Sequence, residues 1–206
     1  MRFLLLLAIL AGCAAPRDLD AVGPQAQPSA LSYAATTDSL EAAPSTVAQF
    51  AVAARSIARF GLTPVASPLL STPESRFTLT NTSGVVVAGL IPGQGPITRS
   101  ELVVVGTDVA SPYAPAVLEA ARTLAERSQW VDVPGRSVQV VLWHGASSRR
   151  RALAAPVWDA QAVYAVLEIG RDLEGEPGLG FAAAILSRVL EAANEPARAD
   201  SLSTAP

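Results

Sequence analysis

The sequence predicts a three-layer α/β/α domain built on a mixed, mostly parallel central sheet. Three observations carry that prediction. Short β-branched runs at 85–91, 102–106, 137–143 and 162–169 have strand length and are bounded by Gly, Pro and Ser. Amphipathic stretches of helical period lie around them at 45–60, 116–127 and 178–193. The two types alternate along the chain, which calls for crossover connections and helices on both faces of the sheet. Of 206 residues 50% are hydrophobic and 16% charged, so one domain with a real core is expected. A net charge of −3 gives no basis for binding nucleic acid or another polyanion. The chain holds one cysteine, Cys13, so a disulfide framework is excluded, and one histidine, His144.

In chain order, Met1-Arg2-Phe3 precedes the apolar run 4–10 and then Ala11-Gly12-Cys13. A positive start, a short apolar run and small residues describe a secretory signal over 1–12. A membrane span needs about 20 apolar residues, which this run lacks. Leu10-Ala11-Gly12-Cys13 resembles the bacterial lipobox, in which the cysteine thiol takes a diacylglyceryl chain and becomes the mature N-terminus. The competing reading is an ordinary cleaved signal in which Cys13 has no role. Ala14 in place of an aspartate resembles the sorting signal for the outer membrane. The membrane is thus one expected partner, through lipid on Cys13. Residues 13–44, rich in Ala, Pro, Gln, Ser and Thr, are expected to form a flexible tether reaching roughly 30 Å as a random coil.

The domain is expected to fill 45–195. Ser45 or Thr46 can cap a helix ending near Phe60, with Gly61 beyond it. Alternation over 76–80 suits an edge strand, and 85–91 and 102–106 suit two buried strands joined by a hairpin or short connection. That connection carries a charged pair, Arg99 and Glu101. Pro115 opens the next helix, 116–127, and Glu119, Arg122 and Glu126 are placed on its wet face at i,i+3 and i,i+4. The strand 137–143 follows, then a short helix over 148–155 containing the run Arg149–Arg151, the strand 162–169 and the closing helix 178–193. Residues 196–206 form a polar, frayed tail.

The helix ending Phe60-Gly61-Leu62-Thr63-Pro64, the edge strand 76–80 and the strand pair within 83–108 together resemble the zinc-dependent aminopeptidases and carboxypeptidases, the family-twenty-eight metallopeptidases. The resemblance covers about 47–171 and implies an abbreviated form of that fold, with the site on loops at the carboxyl ends of the strands. It also implies which positions should carry chemistry. The family's Gly-x-His-x-Asp is matched by Gly106-Thr107-Asp108-Val109-Ala110, so Asp108 stands for the histidine and Ala110 for the aspartate behind it. The loop that should supply a bridging aspartate shrinks to 111–115, without a carboxylate. The family's Gly-Glu-Glu falls on Gly145-Ala146-Ser147, so Ala146 and Ser147 replace the general base and a ligand. Glu168 falls near a later aspartate ligand, and no histidine follows His144. Two histidine ligands cannot come from one histidine, whatever the alignment.

These positions imply a non-catalytic module with no cofactor, a pseudopeptidase that binds an envelope protein or peptide. The competing reading is a hydrolase with one zinc on Asp108, His144 and Glu168, each near the end of an expected strand. A third is a fragment of such an enzyme without function. Ser147 and Ser148 beside His144 lack the Gly-x-Ser-x-Gly turn of a serine hydrolase, and Gly89-x-x-x-Gly93-x-Gly95 lacks the Lys-Ser/Thr of a phosphate loop. Arg149–Arg151 is expected to be a solvated helix face, and Trp130, Trp143 and Trp158 to be core or half-core.

Overall fold

The computed structural model describes residues 26–60, 63–64, 86–128, 133–154 and 162–196. The signal, Cys13, the edge strand expected over 76–80, Trp130 and Trp158 lie outside these residues, as does nearly all of the expected tail. Among the described residues no helix is long and apolar enough to cross a membrane. The element order is α1 (Ala30–Glu41), α2 (Thr46–Arg59), β1 (Thr63–Pro64), β2 (Val86–Ile91), a 3-10 turn (Thr98–Ser100), β3 (Glu101–Asp108), α3 (Ala114–Ser128), β4 (Ser137–Trp143), α4 (Gly145–Ala154), β5 (Ala162–Glu168) and α5 (Leu179–Asn194).

The strands form one mixed sheet in the order β1-β2-β4-β3-β5. β3 is parallel to β4 and to β5, and β2 is antiparallel to β4. Of the hairpin or short connection expected between β2 and β3, the hairpin is corrected: β4 lies between them. The connection over 92–100 is long enough to step across one strand, since neighbouring strands are only about 4.8 Å apart. Gly93 and Gly95 permit that step. A Cβ on Gly93 would lie 2.4 Å from the Arg136 carbonyl carbon, and one on Gly95 would lie 2.7 Å from Gly135 O. These glycines serve close backbone approach.

The layers are uneven. One face of the sheet, with Val87, Ile91, Val103, Val105, Val138, Val140 and Leu142, packs in one cluster with side chains of α1, α2, α3 and α5. The other face presents Ala88, Leu90, Leu102, Val104, Val141 and Trp143 to Ala152 of α4. Trp143 is in the core, as expected. Gly106 opens room for its indole, since a Cβ there would meet Trp143 at 2.8 Å and Val141 O at 2.1 Å.

The helices follow their sequence cues with two corrections. Ser45 caps α2, its hydroxyl accepting from Ala48 N at 3.3 Å, and Phe50, Ala53, Ala54 and Ile57 form the buried stripe. The first correction concerns 30–41, which lies within the expected tether and is helical. Too few bulky apolar residues occur there for the segment to fold unaided, but α3 supplies the partner. Leu40 is buried and Tyr33 packs against the core. The second correction explains how. Glu119, expected on the wet face of α3, is buried, and its Oε1 accepts from Ser29 N at 2.6 Å. Arg122 joins Glu119 and Glu126 and donates to Gln27 O at 3.2 Å, while Arg127 donates to Ala26 O at 2.6 Å. Bound to two carboxylates, the Arg122 guanidinium is held above its ordinary pKa, Glu119 being the larger cause. A row read as surface ion pairs is the seat of the N-terminal segment.

Candidate functional site

β3, β4 and β5 run parallel, so their carboxyl ends share one rim of the sheet, where the site of an open α/β fold is expected. Asp108 faces Trp143 in register, and Glu168 faces Gly106. The structure thus brings Asp108, His144 and Glu168 to the same rim.

Asp108 ends β3 with its side chain about one-third exposed. Its Oδ1 accepts from Ala110 N at 2.9 Å, closing the turn after the strand, and its Oδ2 accepts from Gly145 N at 3.0 Å. Gly145 is the first residue of α4 and has φ of +78°, a left-handed value that L side chains rarely adopt. The chain therefore turns sharply out of β4, and the carboxylate from the neighbouring strand sits at the positive end of the new helix. This is why α4 begins at Gly145, three residues before the expected start. His144 is half exposed, and its Nδ1 lies 3.3 Å from Asp108 Oδ1.

Glu168 ends β5 and is mostly covered, with 14% side-chain exposure. Arg149 of α4 grips it with both arms, Nε donating to Oε1 at 2.5 Å and an Nη donating to Oε2. Arg171 approaches Oε2 at 3.5 Å, and the Glu168 backbone N–H donates to Asp172 Oδ2 at 2.8 Å. The Arg149 hydrogen bonds hold the Glu168 carboxyl below the usual glutamate range, and Glu168 in turn raises Arg149. Arg149, expected on a solvated face, is one side of this ion pair.

The remaining positions carry no chemistry of the family's kind. Ala110 is exposed beside the Asp108 turn, and Ala146 and Ser147 lie in the first turn of α4. Among the described residues no group of three or more His, Cys, Asp or Glu side chains is placed to hold a metal ion. Both Glu168 oxygens are engaged by Arg149, and Asp108 and His144 meet each other at 3.3 Å.

The residues missed in the sequence lie at the opposite rim. Arg136, just before β4, is fully buried. Its Nε donates to Glu101 Oε2 at 2.5 Å, so Glu101, one of the two charged residues of the 92–101 stretch, pairs with Arg136. Its Nη1 donates to Ala192 O at 3.2 Å and to Glu195 O at the end of α5, and its guanidinium lies 3.5 Å from the centre of the Tyr164 ring. An arginine directly before a mostly apolar strand was the available signal.

No family model matches the chain, and no curated protein matches it. Among solved structures, LapA of Legionella pneumophila is similar with a TM-score of 0.39, 12% identity and coverage of 67% of this chain. A second structure, of the LapA aminopeptidase of the same organism, is similar with a TM-score of 0.39, 9% identity and coverage of 69%. The chain spans 41% and 43% of the length of those two proteins.

Proposed function

We propose that this chain is a lipid-anchored protein of the bacterial cell envelope, held in the outer membrane through Cys13. Its α/β domain is a shortened metallopeptidase-like scaffold without the family's zinc ligands, and it works as a non-catalytic binding or scaffolding module. One observation carries the reading. The carboxylates at the rim have structural partners, Asp108 on the α4 N-terminus and Glu168 on Arg149, in a chain with a single histidine. The resemblance of 47–171 to the peptidase scaffold supplies the comparison, and the Leu10–Cys13 run supplies the anchor.

The competing reading is a metal-dependent peptidase with a rearranged site. The 3.3 Å approach of His144 to Asp108 favours it, and the engagement of Glu168 by Arg149 opposes it. The two separate on one preparation. Full-length chain expressed in a bacterium, extracted in detergent without chelator, is expected to carry no stoichiometric zinc and to leave aminoacyl substrates intact. About one zinc per chain, lost on His144→Ala, would replace the first reading with the second. The anchor is tested separately by mass spectrometry, which should find an acylated Cys13 as the first residue.

A further inference from the structure

A groove of about 870 Å³ runs between α1 and α2 and over the edge of α3. Its apolar part is Leu31, Val52 and Phe60, and Leu31 is 85% exposed. Its charged part is Arg55, Arg59 and Arg122 against a single carboxylate, Glu126. Arg122 is taken up by Glu119 and Glu126. Arg55 and Arg59 have no carboxylate partner among the described residues; Arg55 Nε donates only to Ala51 O, within its own helix. Asp38 and Glu41, the acidic residues of α1, do not line the groove. A chain of net charge −3 thus presents, at this place, two exposed guanidinium groups beside exposed apolar surface.

The position of the groove supplies its partner. The described chain begins at Ala26, whose carbonyl is held by Arg127, and Gln27 is held by Arg122, which lines the groove. Thirteen residue steps separate Ala26 from Cys13. Thirteen steps reach at most about 45 Å even fully extended, so a lipid on Cys13 keeps this face within that distance of the bilayer. We propose that the α1–α2 groove docks on the membrane that anchors the chain. In this arrangement Arg55 and Arg59 take the phosphates of anionic phospholipids, and Leu31 enters the interface. The geometry rests on the lipid-anchor reading. Arginine suits the role, because its planar fork pairs bidentately with phosphate oxygens.

The test is co-sedimentation at low salt of chain 13–206 carrying Cys13→Ser with vesicles of phosphatidylglycerol or phosphatidylcholine. This form keeps every described residue and carries no lipid, so its result is independent of acylation at Cys13. Binding to phosphatidylglycerol but not phosphatidylcholine is expected, despite the net negative charge. It should fall about fivefold for Arg55→Gln or Arg59→Gln and roughly 25-fold for the pair, with circular dichroism unchanged. Equal binding to both lipids, full binding by the double variant, or displacement by millimolar inorganic phosphate, which would mark a site for free anions, would each overturn the proposal.

Discussion

The two ends of the sheet use the same materials to opposite effect. At the amino end, Arg136 is fully buried against Glu101, the Tyr164 ring and the last carbonyls of α5. At the carboxyl end, where an open α/β sheet carries its chemistry, Asp108 and His144 are part exposed, and the Glu168–Arg149 pair is partly buried. The amino end joins four elements through one cation, so a change there propagates. The carboxyl end holds local devices, a helix cap and an ion pair, so a change there should stay local. The rim that resembles an active site is the less integrated of the two.

Removing Glu101 should break this contrast most severely. Glu101→Ala leaves the Arg136 cation buried without its carboxylate, at an expected cost of about 3 kcal/mol in urea unfolding. A loss below about 1 kcal/mol would show that water reaches Arg136 and that the two ends are alike. Next in size is Glu119→Ala, which removes the acceptor for Ser29 N and one partner of Arg122. About 2 kcal/mol is expected, with amide exchange rising over 30–41 and staying low in β3 and β4. Exchange rising equally everywhere would mean that α1 is integral to the core.

Smaller effects are expected at the carboxyl rim. Asp108→Ala should cost about 1 kcal/mol through the lost cap of α4, and Asp108→Asn less, because an amide oxygen still accepts. A loss above about 3 kcal/mol would place Asp108 with Arg136 as a structural hub. The smallest effect is the pH response of Glu168. Its folded pKa lies below its unfolded one, so its stabilising contribution is full above the ordinary glutamate range and is lost as pH falls through that range and below. Melting temperatures of the native chain and Glu168→Gln, followed from pH 7 to pH 3, should therefore converge at the acid end. Parallel curves would remove the linkage.

Much of the fold was legible because burial wrote it into residue type. β2 and β4 are β-branched runs buried along nearly their whole length, and α2 and α5 carry regular apolar stripes, so period and length were enough. Strand order was not, since nothing in 85–106 distinguishes a hairpin from a step across a third strand. The step is recorded only in Gly93 and Gly95, which read equally well as turn residues. Likewise α1 has almost no amphipathic signal, because its attachment comes from α3, through Glu119, Arg122 and Arg127. At the rim, sequence put Asp108, His144 and Glu168 near strand ends, which the register of β3, β4 and β5 sets on one side of the sheet. It did not show that Arg149, in what read as a solvated run, would take up Glu168.

The position of β4 between β2 and β3 has a kinetic side. Among the described strands, β2 has only the two-residue β1 beside it until β4 arrives, and β3 has no partner at all. Both are apolar, and both must wait through residue 143 for their main pairing. A chain emerging amino end first therefore carries two unpaired, aggregation-prone edges for the whole of 101–136. Those sheet contacts are non-local, which slows folding. Chains halted before residue 137 should be recovered with chaperones or as aggregates, and chains extending through β5 and α5 should not.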